Sequence, residues 1–224
     1  MTIEKGKLYV VATPIGNPRD ITLRAMDVLQ EVDAVICEEQ REGSTLLKKL
    51  GINKEILLVN EHNEPEMGPL IAQRMLLQNH SLALISDCGT PVFADPGASL
   101  IAHLTEMGIQ IVPVPGASSL MAALSVLDFK MDRFLYVGFL PREKEERRKA
   151  LRYVRNLRIP IIIMDAPYRL VAVLDDVAAA FGDGAPVTLC IDLTMPSESI
   201  LRGPLKEISR RIGQRKGEFV LLVH

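Results

Sequence analysis

Short unbroken apolar runs punctuate the first half of the chain: LYVVA (8–12), AVIC (34–37), ILLV (56–59), LALIS (82–86) and IQIVPV (109–114). Runs this short, apolar at successive positions, predict strands buried on both faces. Between them DITLRAMDVLQEV (20–32), EGSTLLKKL (42–50), MGPLIAQRMLLQ (67–78) and GASLIAHLTEM (97–107) place apolar residues at spacings of three and four, the period of an amphipathic helix. The alternation predicts a mainly parallel sheet with helices on both sides. Right-handed crossovers then bring every β-to-α loop to the carboxyl edge, where open sheets bind ligands.

Beyond about residue 115 the pattern loosens into the apolar runs FLYVGF (134–139), IPIIIM (159–164), VTLCIDL (187–193), SILRG (199–203) and EFVLLV (218–223). The third and fourth of these lie only a few residues apart, as in an antiparallel pair. The chain of 224 residues therefore reads as α/β in two domains. A parallel one spans 1–115 and a mixed one spans 116–224, with the boundary near PVPG.

Charge narrows the partners. Twenty-six basic residues balance 28 acidic ones, so any contact with nucleic acid must come from a local patch. The richest one is REKEERRKALRYVRNLR (142–158), with eight Lys or Arg against three Glu. Ala150, Leu151, Val154 and Leu157 give it one apolar face, which predicts a helix with its charges outward. Those charges serve either as a solvated face, with pairs such as Glu143 to Arg147, or as an RNA phosphate contact.

Cys37, Cys88 and Cys190 are scattered and odd in number, which predicts reduced, buried thiols in a cytosolic protein. Met26, Met75, Met107 and Met121 fall on apolar helix sides and are expected in the core. The four histidines have no metal-ligand spacing, so no metal is expected. The amino terminus does not resemble a secretory signal, and no stretch has the roughly 20 apolar residues of a membrane span.

The candidate chemistry lies in three loops on the expected carboxyl edge: TPIGNPRD (13–20), ISDCGTPVFADPG (85–97) and PVPGASS (113–119). None is a G-x-G-x-x-G or a lysine-bearing phosphate loop. Pro14, Pro18, Pro91 and Pro96 remove N–H donors while Asp87 and the loop carbonyls supply acceptors, the reverse of an anion site. A ligand with hydroxyl, amino and cationic groups fits, and S-adenosylmethionine is one. Ordinary proline-shaped turns would account for the same composition.

TPIGNPRDITLRAMDVL, SDCGTPVFADPG, VPVPGASSLMAAL, DRFLYVGFLP and KGEFVLLV occur in the order and approximate spacing of the tetrapyrrole methylase superfamily of S-adenosylmethionine-dependent enzymes. Within it the chain most resembles the bacterial small-subunit methyltransferase I family, which methylates a cytidine ribose 2′-hydroxyl of 16S ribosomal RNA. The resemblance covers nearly the whole chain. It implies two α/β/α domains with S-adenosylmethionine in the cleft between them, a homodimer, and ribosomal RNA or the small subunit as partner.

By the same resemblance Pro14 and Gly16 face the cofactor. Gly89, Thr90, Pro91 and Phe93 form its main loop, Ser118 and Ser119 the next turn, and Met164 a further contact.

Departures fall on the substrate side. Glu38-Glu39-Gln40-Arg41 stands for Glu-Asp-Thr-Arg, Met164-Asp165-Ala166 for part of Phe-Tyr-Glu-Ser, and Ile191-Asp192-Leu193-Thr194-Met195 for Arg-Glu-Leu-Thr-Lys. A ribose hydroxyl must lose its proton during transfer, and Glu38, Asp87 and Lys216 are the candidate bases. Each also has a plain structural reading: Glu38 paired with Arg41, Asp87 capping local N–H groups, Lys216 solvated. A different acceptor on the same fold, or a non-catalytic cofactor-binding relative, stays open from these residues.

Overall fold

The computed structural model describes residues 3–93 and 95–224. Met1, Thr2 and Ala94, the last inside the 85–97 loop, lie outside the described residues. The chain divides into two compact units, Met1–Ser118 and Ser119–His224.

The first unit alternates strand and helix: β1 (Lys7–Val11), α1 (Leu23–Glu31), β2 (Ala34–Cys37), α2 (Gln40–Lys49), β3 (Glu55–Leu58), α3 (Glu64–Gln78), β4 (Leu82–Ile85), α4 (Ala98–Glu106) and β5 (Gln110–Val114). All five strands run parallel in the order β3-β2-β4-β1-β5. Successive residues of a strand point to opposite faces. Tyr9, Val11, Val35, Cys37, Ala83 and Ile85 therefore pack against Val28, Leu29 and Leu47 of α1 and α2. Leu8, Ala34, Ile36, Leu82 and Leu84 pack against Ile71, Met75, Leu100 and Leu104 of α3 and α4. Covering both faces is why these strands have no polar side.

That layering positions the site. β1 and β4 are neighbours, yet α1 leaves β1 for one face and α4 leaves β4 for the other. Their carboxyl ends thus flank the crevice where this class of sheet takes its ligand. The start of α4 is fixed from α3. Gly97 offers no side chain as a cap, and buried Glu64 instead accepts the Leu100 N–H through Oε1 at 2.7 Å.

The second unit contains α5 (Ser119–Ser125), β6 (Leu135–Gly138), α6 (Lys144–Asn156), β7 (Ile161–Asp165), α7 (Leu170–Phe181), β8 (Pro186–Ile191), β9 (Ser199–Pro204), α8 (Leu205–Ile212) and β10 (Phe219–Val223). Its sheet is mixed, in the order β6-β7-β10-β8-β9. β6 and β7 are parallel, and β10 and β9 run antiparallel to their neighbours. Ile161, Ile163, Leu189, Ile191 and Leu221 meet Leu151, Leu174, Val177 and Ile208 from α6, α7 and α8.

Several local expectations are corrected. Arg147 does not pair with Glu143; it is buried and bonded to Asp176 of α7, while Glu143 caps α6 by accepting the N–H groups of Glu145 and Glu146. Tertiary burial of a guanidinium outweighs a solvent-exposed helical pair. Met107 and Met121 are about half exposed, at 48% and 53%, because each lies near a helix end where the apolar stripe has run past the core. Met26 is half-buried and Met75 fully buried. Cys88 is exposed on its loop, whereas Cys37 and Cys190 are buried with thiols pushed up to about 11, chiefly by burial.

Candidate active site

Three loops are stitched together at the carboxyl edge of the first sheet. Thr13 and Gly89 form an isolated antiparallel bridge, in which the Thr13 N–H donates to Gly89 O at 2.8 Å and the Gly89 N–H to Thr13 O at 3.2 Å. The Thr13 hydroxyl donates to Ser86 O at 3.2 Å, and the Ser86 hydroxyl to Gly89 O at 3.2 Å. Thr90 Oγ1 reaches across to Ala117 O at 3.1 Å, tying in the loop after β5. Side-chain hydroxyls and backbone thus replace the missing proline donors as the ties between loops.

Close approach explains the glycines here. Gly89 has φ of 83°, and a Cβ there would sit 3.2 Å from Ile15 Cγ2. A Cβ on Gly116 would lie 2.9 Å from the Ala12 Cβ. Val92 has φ of 73°, a costly conformation for a β-branched residue and one that concentrates at ligand sites.

The sequence-derived candidates divide between the units. Pro14, Gly16, Gly89, Thr90, Pro91, Phe93 and Ser118 all belong to the first unit and gather on these loops. Gly89 and Pro91 are buried, Pro14, Gly16 and Ser118 half-buried, and Thr90 and Phe93 exposed. Ser119, Met164 and Lys216 belong to the second unit. There Ser119 opens α5 and its hydroxyl faces Met164 Sδ of β7 at 3.9 Å, while Lys216 is exposed just before β10.

The rim of the first sheet is acidic. Burial raises the pKa of Glu38, and Asp87, Asp95, Glu39 and Glu61 add to it. Asp87 is exposed as a residue, yet partial burial of its carboxyl likewise raises its pKa, helped by Glu42, Asp95 and Glu39, although Asp87 accepts the Glu39 backbone N–H. Asp95 is raised by burial against the opposing hydrogen bond from Ser86. Among the described residues no ion pair joins Glu38 to Arg41, and Asp87 caps the β2 loop and not its own turn. Asp95 is not among the residues that the sequence pattern singles out; its place two residues before Gly97, within the same proline-bent loop, is the one signal that points to it.

The donor set fits S-adenosylmethionine. A donor-poor cradle of carbonyls and hydroxyls, kept open by Gly89 and bordered by carboxylates crowded among other acids, complements ribose hydroxyls, an ammonium and a sulfonium. Among the described residues no group of His, Cys, Asp and Glu is arranged to hold a metal ion. No described helix is long and apolar enough to cross a membrane.

In the second unit, Asp165 and Asp192 of the motifs that depart from the family pattern are engaged in ion pairs. Asp165 is buried and paired with Arg169 at 2.9 Å. Asp192, at φ of 52°, holds Arg215 at 2.9 Å, and Gly217 lets the chain pass close by, since a Cβ there would stand 2.6 Å from Asp192 Oδ1 and 2.7 Å from Ile191 Cγ2.

Comparison with known proteins agrees with this architecture. The family described as Tetrapyrrole (Corrin/Porphyrin) Methylases matches residues 7–209. Relatives named "Ribosomal RNA small subunit methyltransferase I" include that of Halalkalibacterium halodurans, 37% identical over 98% of this chain and 76% of its own. That of Escherichia coli O157:H7 is 38% identical over 98% and 78%, and that of Leptospira biflexa 40% identical over 99% and 92%. Among solved structures, diphthine synthase has a TM-score of 0.73 at 15% identity, covering 96% of this chain and 88% of its own. Cobalt precorrin-4 methyltransferase has a TM-score of 0.70 at 21% identity, covering 97% and 94%. These two show the shared fold. The chain belongs to the tetrapyrrole methylase family and is a methyltransferase that uses S-adenosylmethionine.

Proposed function

We propose that this protein methylates a cytidine ribose 2′-hydroxyl of 16S ribosomal RNA in the small subunit. The observation that carries the choice of acceptor is the identity of 37–40% across nearly the whole chain with relatives named for small-subunit ribosomal RNA. The exposed cations Lys149, Arg152 and Arg155 of α6 support an RNA acceptor, since they stand in solvent where phosphates can reach them. A cytosolic homodimer is the form that the family resemblance favours.

S-adenosylmethionine supplies the electrophilic methyl group. Thr13 to Gly16, Gly89 to Phe93 and Ser118 would hold it from the first unit; Ser119 and Met164 are the contacts that the family resemblance adds. The chain's own part is positioning and proton removal. A carboxylate with a raised pKa is a stronger proton acceptor than an ordinary one, which favours Glu38 or Asp87 as the group that takes the hydroxyl proton at its Oε or Oδ atoms. Lys216 is the alternative base.

The decisive test uses small subunits from cells lacking the gene, incubated with the purified protein and the methyl donor. A new 2′-O-methylcytidine in 16S RNA is the expected product. Methyl transfer to another molecule, with 16S RNA left unmodified, overturns the assignment of acceptor. Sedimentation of the purified protein tests the dimer.

A further inference from the structure

The chain has four tyrosines, six phenylalanines and no tryptophan. Even so, Phe139 is 59% and Tyr168 66% exposed. Singly exposed rings, such as Phe93 and Tyr153, are ordinary on a protein surface, and Phe139 and Tyr168 are informative as a pair. These two share one place. Phe139 directly follows β6 and Tyr168 lies in the 3-10 turn Pro167–Arg169 after β7, and the two strands are parallel neighbours. Both loops therefore leave the same edge of the sheet.

Their backbone is held rigidly while the rings are left in solvent. Buried Asp165 pairs with Arg169 at 2.9 Å, takes the Ala166 N–H at 2.8 Å, and takes the Leu140 N–H at 3.4 Å. The Arg169 guanidinium donates to Leu140 O at 2.9 Å and Pro141 O at 2.7 Å. One buried ion pair thus locks the residue after Phe139 to the residues on either side of Tyr168. Pro141 and Pro167 stiffen the same loops.

Exposed Arg142 and Lys144 stand immediately beyond, and the intervening Glu143 is engaged in capping α6. Rings fixed on a braced frame with cations at the border are the components of a stacking platform for unpaired nucleotides, in which bases lie on the rings and phosphates meet the cations.

We propose that Phe139 and Tyr168 form a base-stacking platform for single-stranded RNA. The proposal rests on the RNA acceptor proposed above and deepens it, by naming unpaired nucleotides as what this edge engages. Because every base has a π-face, the platform tolerates sequence and positions the strand; the choice of nucleotide lies elsewhere.

The absence of native tryptophan makes the test direct. Phe139→Trp and Tyr168→Trp each introduce a single reporter, to be titrated with a short cytidine-rich RNA in the presence of S-adenosylhomocysteine. Fluorescence anisotropy of the labelled RNA gives affinity independently. Quenching of both reporters in step with binding is expected. Phe139→Ala and Tyr168→Ala should each weaken binding about five- to 150-fold without changing its salt dependence, and Tyr168→Phe should restore it.

Unchanged tryptophan emission on RNA that is bound at full affinity overturns the platform alone. Wild-type protein that binds no such RNA also overturns the platform, whereas the RNA acceptor itself is judged by methyl transfer to small subunits. Emission that follows protein concentration and ignores RNA shows that a second copy covers the rings, which also overturns the proposal.

Discussion

Gly89 concentrates the demands on this site in one residue. Its φ of 83° and the 3.2 Å approach to Ile15 mean that a methyl side chain is both conformationally and sterically opposed, while its N–H and C=O are committed to Thr13. The left-handed conformation alone costs about 1–2 kcal/mol for a residue with a Cβ. Gly89→Ala is expected to lower cofactor affinity at least about tenfold, read by calorimetry with S-adenosylhomocysteine, with a smaller fall in melting temperature.

Asp87 and Glu38 give a pH-dependent companion. An acid whose pKa rises on folding binds its proton more tightly when folded, so stability declines as pH climbs from the unfolded value near 4 through the raised folded value. Asp87→Asn should therefore melt above wild type at neutral pH, and that advantage should vanish below about pH 4. Whichever of Glu38→Gln and Asp87→Asn removes the base should lower kcat by about 10²–10⁴.

Among the elements, α6 shows how far periodicity carries. Its position and its outward charges were legible from Leu151 and Val154, but the fate of Arg147 was not, because Asp176 lies on a helix 29 residues away. Asp176 is held below the usual carboxylate range: burial pulls its pKa up, and the hydrogen bonds from Arg148 and Arg147 outweigh that. Its stabilising contribution is present above about pH 4 and disappears as pH falls through the lowered folded value. Asp176→Ala leaves Arg147 buried and uncompensated, and denaturant unfolding should show a loss of about 3–5 kcal/mol.

α7 itself carried no clear helical signal. LVAVLDDVAAAF is apolar at ten of its twelve positions, so its buried face, Leu170, Val173, Leu174, Val177 and Ala180, does not stand out in sequence from exposed Ala172 and Ala179. α3 begins at Glu64, ahead of the expected 67, because Pro65 is acceptable in a first helical turn.

At the scale of the molecule, a net charge of −2 gives no general attraction for RNA, so binding must be local. Lys149, Arg152 and Arg155 lie exposed along α6, while Arg147 and Arg148 are spent on Asp176. Replacing Lys149, Arg152 and Arg155 together by Glu should flatten the plot of log affinity against log salt by about two units for a single-stranded RNA, at about 0.7 for each phosphate no longer neutralised. Filter binding across a salt series measures this.

The sequence by itself determined the alternation of strands and helices in the first unit, the antiparallel β8 and β9, and the three loops that meet at the sheet edge. These follow from local periodicity and from the fixed conformational limits of proline and glycine, which act over a few residues. Only the tertiary structure decided that Thr13 bridges Gly89, that Glu64 caps α4 from another helix, and that Asp95 joins Glu38 and Asp87 in one acidic rim. It alone bound Asp165 and Arg169 into a brace beneath two exposed rings. Hydrogen bonds and charges couple groups through space, and the neighbours of a side chain are fixed by strand order and crossover side, which no stretch of residues contains.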